Sequence, residues 1–136
     1  MNAALSIPID KELLINISID GIECSCRAYW AEIDRFPSAK MFDDYEARLK
    51  DGTLPDEEVL FRLRDDEDGM AANEKRPWAD ITMATLMAST QRALVEYNHL
   101  FTYTVGSDGK VSDIDYDAWG ADAILQFATL GEVIYG

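Results

Sequence analysis

The segment from Asp113 to Gly136 constrains the fold of this chain more than any other stretch. It reads D-I-D-Y-D-A-W-G-A-D-A-I-L-Q-F-A-T-L-G-E-V-I-Y-G, and its apolar residues recur at the spacing of a helix over residues 117–130. Gly131 is a typical helix stop. The apolar stripe is too wide to leave in water, so we expect the other elements to pack against it. Its members are Trp119, Ala121, Ile124, Leu125, Phe127 and Ala128.

The length and composition of the chain predict a single domain over residues 1–136. A chain of 136 residues with 48% hydrophobic content can bury about two-thirds of the surface that its unfolded form exposes. Helical patterns are mixed with short alternating segments, which predicts an α+β fold with two or three helices on a small, mostly antiparallel sheet. The sequence shows neither a long apolar run nor a signal-peptide pattern, so we expect a soluble cytoplasmic protein.

The N-terminal segment allows two interpretations. Leu5, Ile7 and Ile9 alternate with polar residues and Pro8, which predicts an edge strand, and Asp10 can cap a following helix. Residues 11–28 read as a β-hairpin, because isoleucines and cysteines alternate with polar residues around an Asp-Gly turn. They also read as a helix with one apolar stripe and a glycine inside it. The pattern alone favours the hairpin.

The rest of the chain carries shorter signals. Strands are predicted at residues 29–36, 59–64, 100–105 and 133–135, and a short helical turn is predicted within 42–50. The acid run from Asp65 to Asp68, followed by Gly69, predicts a solvated loop. Asp80 is a favourable N-cap, so the clearest amphipathic helix is expected at residues 81–97.

Charge is the strongest compositional signal. The chain has 26 acidic and 12 basic residues, a net charge of -14 and a pI near 4.2. Such a chain repels nucleic acids and anionic membranes, so we expect neither as a direct partner. A protein partner with a basic surface is the natural alternative. The candidate contact residues lie in the two acidic clusters and are Asp65, Asp66, Glu67, Asp68, Asp113, Asp115 and Asp117.

The chain shows no motif for catalysis, a metal or a cofactor. Asp113, Asp115 and Asp117 match the first acidic positions of a calcium loop, but Ala118 and Ile124 replace the glycine and the glutamate that the loop requires. These aspartates are therefore expected to cap a helix and to line a turn. Cys24 and Cys26 are expected to be free thiols, because one intervening residue makes a disulfide between them strained. They are not expected to bind a metal, because His99 is the only histidine and no four-ligand set exists. No signature surrounds His99, and we expect no enzyme activity.

Two segments resemble a known group of proteins. A-Y-W-A-E-I at residues 28–33 and A-D-A-I-L-Q-F-A-T-L-G-E-V-I-Y-G at residues 121–136 are similar to a loose family of small, mostly uncharacterised proteins of tailed phages and prophages. The resemblance implies a helix rather than a hairpin over residues 11–26. It also implies a phage accessory protein, a class rich in inhibitors of host enzymes and host defence systems. It implies no catalytic residues.

Charge and resemblance together predict a function. We expect a phage or prophage accessory protein that binds and inhibits a host protein through an acidic surface that mimics a nucleic acid. A structural or assembly protein of the virion and a hydrolase that uses two carboxylates are the alternatives. The charge is also consistent with a role in solubility alone.

Overall fold

Four helices and two small antiparallel sheets make up the part of the chain that the computed structural model describes, namely residues 7–23, 30–34, 39–65 and 77–135. The helices are α1 (Lys11–Gly21), α2 (Ala39–Asp51), α3 (Met83–Glu96) and α4 (Ala118–Leu130). The strands are β1 (Ala31–Ile33), β2 (Val59–Asp65), β3 (Ala79–Thr82), β4 (Thr102–Val105) and β5 (Val111–Asp115). The α+β class is confirmed. The described part has one helix more than predicted, because the turn expected at 42–50 is the full helix α2.

Helix α4 lies at the centre of the core, as predicted. Every residue from Gly120 to Phe127 is buried, and the helix contacts α1, α3, β2 and β3. Asp117 caps its start by accepting a hydrogen bond from Gly120 N at 2.9 Å. Gly131, with a φ of 78°, ends the helix in the left-handed conformation that glycine adopts without strain. The helix is thus buried on all sides over the two turns from Gly120 to Phe127, beyond the single stripe that its apolar residues define.

Helix α1 replaces the hairpin that the alternating pattern favoured. Asp10 caps it by accepting a hydrogen bond from Glu12 N at 3.1 Å. Leu14, Ile17 and Gly21 are buried on the face that packs against α4. The hairpin prediction is wrong because a helix buries its apolar residues in the contact with α4. No strand among the described residues pairs with the alternating isoleucines. Residues 24–28, the second half of the predicted hairpin, lie outside the described part.

The three-stranded sheet has the order β1-β2-β3 and is antiparallel throughout. Leu63 of β2 pairs with Ile33 on one side and with Ala79 on the other. Strand β2 ends at Asp65, one residue beyond the predicted strand. The predicted strand at 29–36 is described only from residue 30 to 34, where β1 is its regular part.

Helix α3 begins two residues later than predicted. Asp80 lies in β3, opposite Arg62, and its carboxylate pairs with the Arg62 guanidinium at 2.7 Å. Thr82 is the N-cap, since its hydroxyl accepts from Thr85 N at 3.1 Å and its own N donates to the Thr85 hydroxyl at 2.8 Å. Asp80 as an N-cap is therefore wrong, because the ladder to β2 extends to Thr82 and delays the helix.

Strands β4 and β5 form a separate hairpin. A short 3-10 turn at Asn98–Leu100 precedes β4, so the strand starts later than predicted. Residues 106–110 join the two strands, with Gly109 at a φ of 83°. The far edge of β5 bonds to the start of the chain, where Asp10 N donates to Val111 O and Val111 N donates to Pro8 O. The predicted strand ending at Ile9 is therefore a single parallel bridge in its described part.

The C-terminal tail is held by a side chain. A strand was predicted at residues 133–135, but the amides of Ile134 and Tyr135 both donate to Gln126 Oε1 at 2.9 Å, and Gln126 Nε2 donates to Tyr135 O. The buried amide of Gln126 thus takes the place of a neighbouring strand. The strand prediction is wrong for that reason.

Residues of the segments 28–33 and 121–136 meet in the core. Trp30 Nε1 donates to Asp122 Oδ1 at 2.8 Å, and Gln126 Nε2 donates to Asp122 Oδ2 at 2.8 Å. The rings of Trp30 and Tyr135 stack with their centroids 6.2 Å apart. The Tyr135 hydroxyl donates to both carboxylate oxygens of Asp65, at 2.8 and 2.9 Å. A buried polar network therefore joins the residue before β1, α4, the tail and the end of β2.

Candidate interaction surface

The outer face of the β4–β5 hairpin carries a row of exposed carboxylates. Asp113 pairs with Thr104 and Asp115 pairs with Thr102, so these four side chains share one face. All four residues are exposed. Because successive residues of a strand are about 3.4 Å apart, the two aspartates follow each other at about 7 Å. We call residues 102–117 the acidic hairpin.

A β-bulge sets this arrangement. The register shifts between Thr104 and Val105, which pair with Asp113 and Val111, so Ser112 is the extra residue of β5. Val111 and Ile114 are both buried although they are an odd number of residues apart. Strict alternation would place one of them in solvent. The bulge lets both face the core and leaves Asp113 and Asp115 together on the outside.

Two further acids extend the acidic hairpin at its base. Asp117 is exposed and holds its position by capping α4. Tyr116 donates a hydrogen bond from its hydroxyl to Asp20 Oδ2 at 2.5 Å, which fixes a carboxylate of α1 beside the hairpin. Lys110 is the only base between residues 102 and 117. The local surface is therefore strongly negative.

Most basic residues of the described part form ion pairs outside the acidic hairpin. Lys11 and the four arginines of that part each pair with a carboxylate, and none of these carboxylates lies in the acidic hairpin. Arg48 donates two hydrogen bonds of 2.6 Å to Glu58, which lower the pKa of Glu58 and raise the pKa of Arg48. The hydrogen bond to Asp80 raises the pKa of Arg62 in the same way. Asp113 and Asp115 have no ion pair within the described ranges.

A cleft of about 280 Å³ opens at the base of the hairpin. Its lining includes His99, Thr102, Asp115 and Asp117, all of which are exposed, above the buried ring of Phe101. No hydrogen bond joins His99 to either carboxylate among the residues that the structure describes. Within the same residues, no group of three histidines, cysteines or acids could hold a metal ion. The cleft thus brings acids and the single histidine together without pairing them.

Strand β4 also carries two exposed apolar side chains. Tyr103 is 42% exposed and Val105 is 44% exposed, and both belong to β4. They alternate with Thr102 and Thr104, so they lie on the opposite face of the hairpin from Asp113 and Asp115. The sequence interpretation missed them as surface residues. Their alternation with Thr102 and Thr104 indicates an apolar face turned toward the core, so the sequence gives no signal for their exposure.

The candidate contact residues that the structure describes differ in exposure and in secondary structure. Asp113 and Asp115 are exposed strand residues rather than turn residues, and Asp117 is the predicted helix cap. Asp65 is 1% exposed at the end of β2, so its placement in a solvated loop is wrong. Its burial follows the alternation of Phe61 and Leu63, which face the core from the same side of β2. Asp66, Glu67 and Asp68 lie outside the described residues.

Most aromatic residues of the described part are packing groups. Trp30 is buried, and Trp78, Trp119, Tyr97 and Tyr135 are half-buried. The guanidinium of Arg64 lies 4.1 Å from the centre of the Trp78 ring, a cation–π contact. Tyr29, Cys24 and Cys26 lie outside the described part of the chain.

The chain matches no protein-family model, no curated protein and no solved structure. Among the described residues, no helix combines the length and the apolar character that a membrane span requires.

Proposed function

We propose that the protein is a phage or prophage accessory protein that binds a basic surface of a host protein through the acidic hairpin and thereby inhibits that host protein. The observation that supports this most is the exposed row of Asp113 and Asp115, which has no basic partner among the described residues. Exposed carboxylates of one sign attract a basic partner over distance and raise its association rate. The resemblance to small phage proteins supports the origin.

The spacing of the row supports mimicry of a nucleic acid in a limited sense. One strand of duplex DNA carries a charge about every 3.4 Å along the axis, and because the strand winds around that axis its neighbouring phosphates lie about 7 Å apart in space, close to the separation of about 7 Å between Asp113 and Asp115. The row therefore has the spacing of two consecutive phosphates. The row is too short for affinity from charge alone, because exposed ion pairs each contribute about 0 to 1 kcal/mol. Further contacts are required, and Tyr103 and Val105 are the nearest exposed apolar groups of the hairpin.

Affinity capture with matched variants tests this proposal. The immobilised protein is exposed to a bacterial lysate at low and high salt, together with the double variants Asp113→Asn/Asp115→Asn and Asp43→Asn/Asp44→Asn. The second pair lies exposed on α2 and changes the net charge by the same amount. We expect one or more proteins retained by the wild type and by the α2 variant at low salt, lost from the hairpin variant, and inhibited when assayed with the purified wild type. Equal loss from both variants, or no inhibition of any retained protein, would contradict the proposal.

The cleft supports a second candidate, a carboxylate-dependent hydrolase. Asp115 and Asp117 line the same cleft, as two catalytic carboxylates would. The candidate is weaker because a carboxyl that donates a proton near neutral pH needs apolar surroundings, whereas both side chains are exposed. Asp117 is also engaged in capping α4. Turnover of chromogenic glycosides that is lost in Asp115→Asn would favour the hydrolase over the inhibitor.

A further inference from the structure

We infer that the outer edge of β4 accepts an extended segment of a partner protein as an added antiparallel strand, and that this segment alternates basic and apolar residues. The inference rests on the proposed function and deepens it, since it names the element that the partner contacts and the kind of segment that fits.

The backbone of β4 shows which groups face outward. Gly106 N donates to Lys110 O at 2.8 Å across the hairpin, and Thr104 O accepts from the Ser112 hydroxyl at 3.4 Å, so Thr104 turns its polar backbone toward β5. Backbone groups alternate between the two sides of a strand. The N–H and C=O groups of Tyr103 and Val105 therefore point away from β5. They have no hydrogen-bond partner among the residues that the structure describes.

The hairpin has one open edge in the described part. The far edge of β5 is occupied, because residues 8–10 bond to Val111 there. All four residues of β4 are exposed, so no other element of the described ranges covers its outer edge. An unpaired edge with polar backbone groups is a template for another strand. Strand addition at such an edge is a known mode of peptide recognition, in which the main chain provides affinity and alternate side chains provide specificity.

The two faces of β4 define the segment that fits. On one face, Tyr103 and Val105 are exposed and present apolar surface to the neighbouring position of an added strand. On the other face, Thr102 and Thr104 are small, and Asp115 and Asp113 lie directly behind them on β5. Strands are about 4.8 Å apart, so an added strand lies about 10 Å from β5. Long lysine or arginine side chains extend across the threonines toward these carboxylates, whereas short side chains do not.

Register then decides which amides of the segment bond to β4. In an antiparallel pair, residues that exchange both hydrogen bonds have their side chains on the same face. An apolar residue placed opposite Tyr103 therefore directs its own N–H and C=O toward β4. The basic residues on either side direct their backbone groups to solvent. The alternative register would place the basic side chains over Tyr103 and Val105, away from the carboxylates.

Two peptides that differ only in the position of their methyl groups test the inference. Both alternate lysine and valine; one is N-methylated at the valine amides and the other at the lysine amides, so charge, composition and methyl count are equal. Since each lost hydrogen bond weakens binding several-fold, we expect the valine-methylated peptide to bind at least about ten-fold more weakly, as measured by fluorescence anisotropy. Equal affinities would overturn strand addition.

Amide hydrogen exchange and two variants provide an independent readout. With the lysine-methylated peptide bound, exchange at Tyr103 and Val105 should slow while exchange at Thr102 and Thr104 stays unchanged. Val105→Pro removes one outward N–H, which the hairpin itself does not use, and should weaken this peptide more than Val105→Ala, which keeps the N–H. Circular dichroism checks that both variants fold. No added protection at Tyr103 and Val105, or equal weakening by the two variants, would contradict the inference.

The outcomes separate this inference from the function on which it rests. If both peptides bind equally and the Asp113→Asn/Asp115→Asn variant loses both, the acidic hairpin is a binding surface but β4 does not add a strand. If neither the hairpin variant nor Val105→Pro changes binding, both the surface and the edge are wrong. Weaker binding of the valine-methylated peptide than of the lysine-methylated peptide supports both the binding surface and the strand addition.

Discussion

Gly21 lies in α1 directly against the central helix α4. A Cβ at this position would lie 2.5 Å from Leu125 Cδ1 and 3.3 Å from Ala121 O. Alanine would improve the helix propensity by about 1 kcal/mol but would overpack the contact at a cost of about 1 to 3 kcal/mol. We therefore expect Gly21→Ala to lower the free energy of unfolding in urea, whereas Asn16→Ala at an exposed position of α1 should not lower it. An increase in both variants would show that the two helices can separate without loss.

Tyr135 ties the C-terminal tail to a buried carboxylate. Its hydroxyl donates to both oxygens of Asp65, which is 1% exposed. Removing one partner of a buried hydrogen bond costs about 1 to 3 kcal/mol, so Tyr135→Phe should destabilise the protein by about that amount in chemical denaturation. Tyr103→Phe at the exposed edge is the matched control and should change stability by less than about 0.5 kcal/mol. Equal effects in the two variants would contradict the role of this network.

Single residues explain where sequence interpretation of the candidate site succeeded and failed. The exposure of Asp113 and Asp115 follows from the burial of Val111 and Ile114, but the bulge that permits it has no sequence signal of its own. Asp65 was assigned to a loop because the charge run outweighed the strand alternation that ends at this residue. Gln126 could not be predicted as the acceptor for the tail, since a glutamine on a helix does not specify its partner.

At the level of elements, Thr82 and Asp80 have different roles at the start of α3. Thr82 forms a capping box with Thr85, whereas Asp80 forms an exposed ion pair with Arg62. We expect Thr82→Ala to cost about 1 kcal/mol and Asp80→Ala to cost about 0 to 1 kcal/mol, near the lower end because the pair is exposed. Thermal unfolding monitored by circular dichroism measures both. A larger loss from Asp80→Ala than from Thr82→Ala would restore the earlier helix start.

The ion pair of Arg48 and Glu58 joins α2 to the segment before β2 and predicts a pH dependence. The hydrogen bonds from Arg48 lower the pKa of Glu58 in the folded protein below its ordinary value of 4.5. The stability that this pair contributes is therefore fully present above pH 4.5 and is lost as the pH falls through the lower, folded pKa. In Arg48→Gln, NMR titration of the Glu58 carboxyl should show its pKa returning upward. The exposed Lys50→Gln on α2 should leave it lowered, and the same titration in both variants would refute the link.

Elements with both a helical period and a cap could be predicted from the sequence, whereas short elements could not. Asp117 and Gly131 bound α4 closely, and Asp10 bounds α1 at its start. The choice between hairpin and helix for α1 needed its packing against α4, which local pattern does not contain. β3 has only four residues and runs directly into α3. So short an alternation cannot be separated from the first turn of a helix.

At the scale of the whole molecule, the predicted elements indicated the α+β class and the net charge indicated an acidic surface. Neither indicated where that surface lies. Two of the three aspartates that cluster around residue 115 face solvent on one side of a hairpin, and this follows from pairing with β4 rather than from composition. The open edge of β4 likewise depends on which strands pair, which the sequence leaves undetermined. The pairing of β4 with β5 thus determines where the candidate binding surface lies.

Binding of an alternating lysine and valine peptide tests the central claim most directly. Dissociation constants are measured by fluorescence anisotropy for the wild type, Asp113→Asn/Asp115→Asn and Asp43→Asn/Asp44→Asn, at low and high salt. Since two exposed ion pairs contribute up to about 2 kcal/mol, the hairpin variant should bind about three- to ten-fold more weakly at low salt, with a smaller difference at high salt. The α2 variant should bind like the wild type. Equal weakening in both variants would show that net charge, and not the acidic hairpin, attracts the peptide.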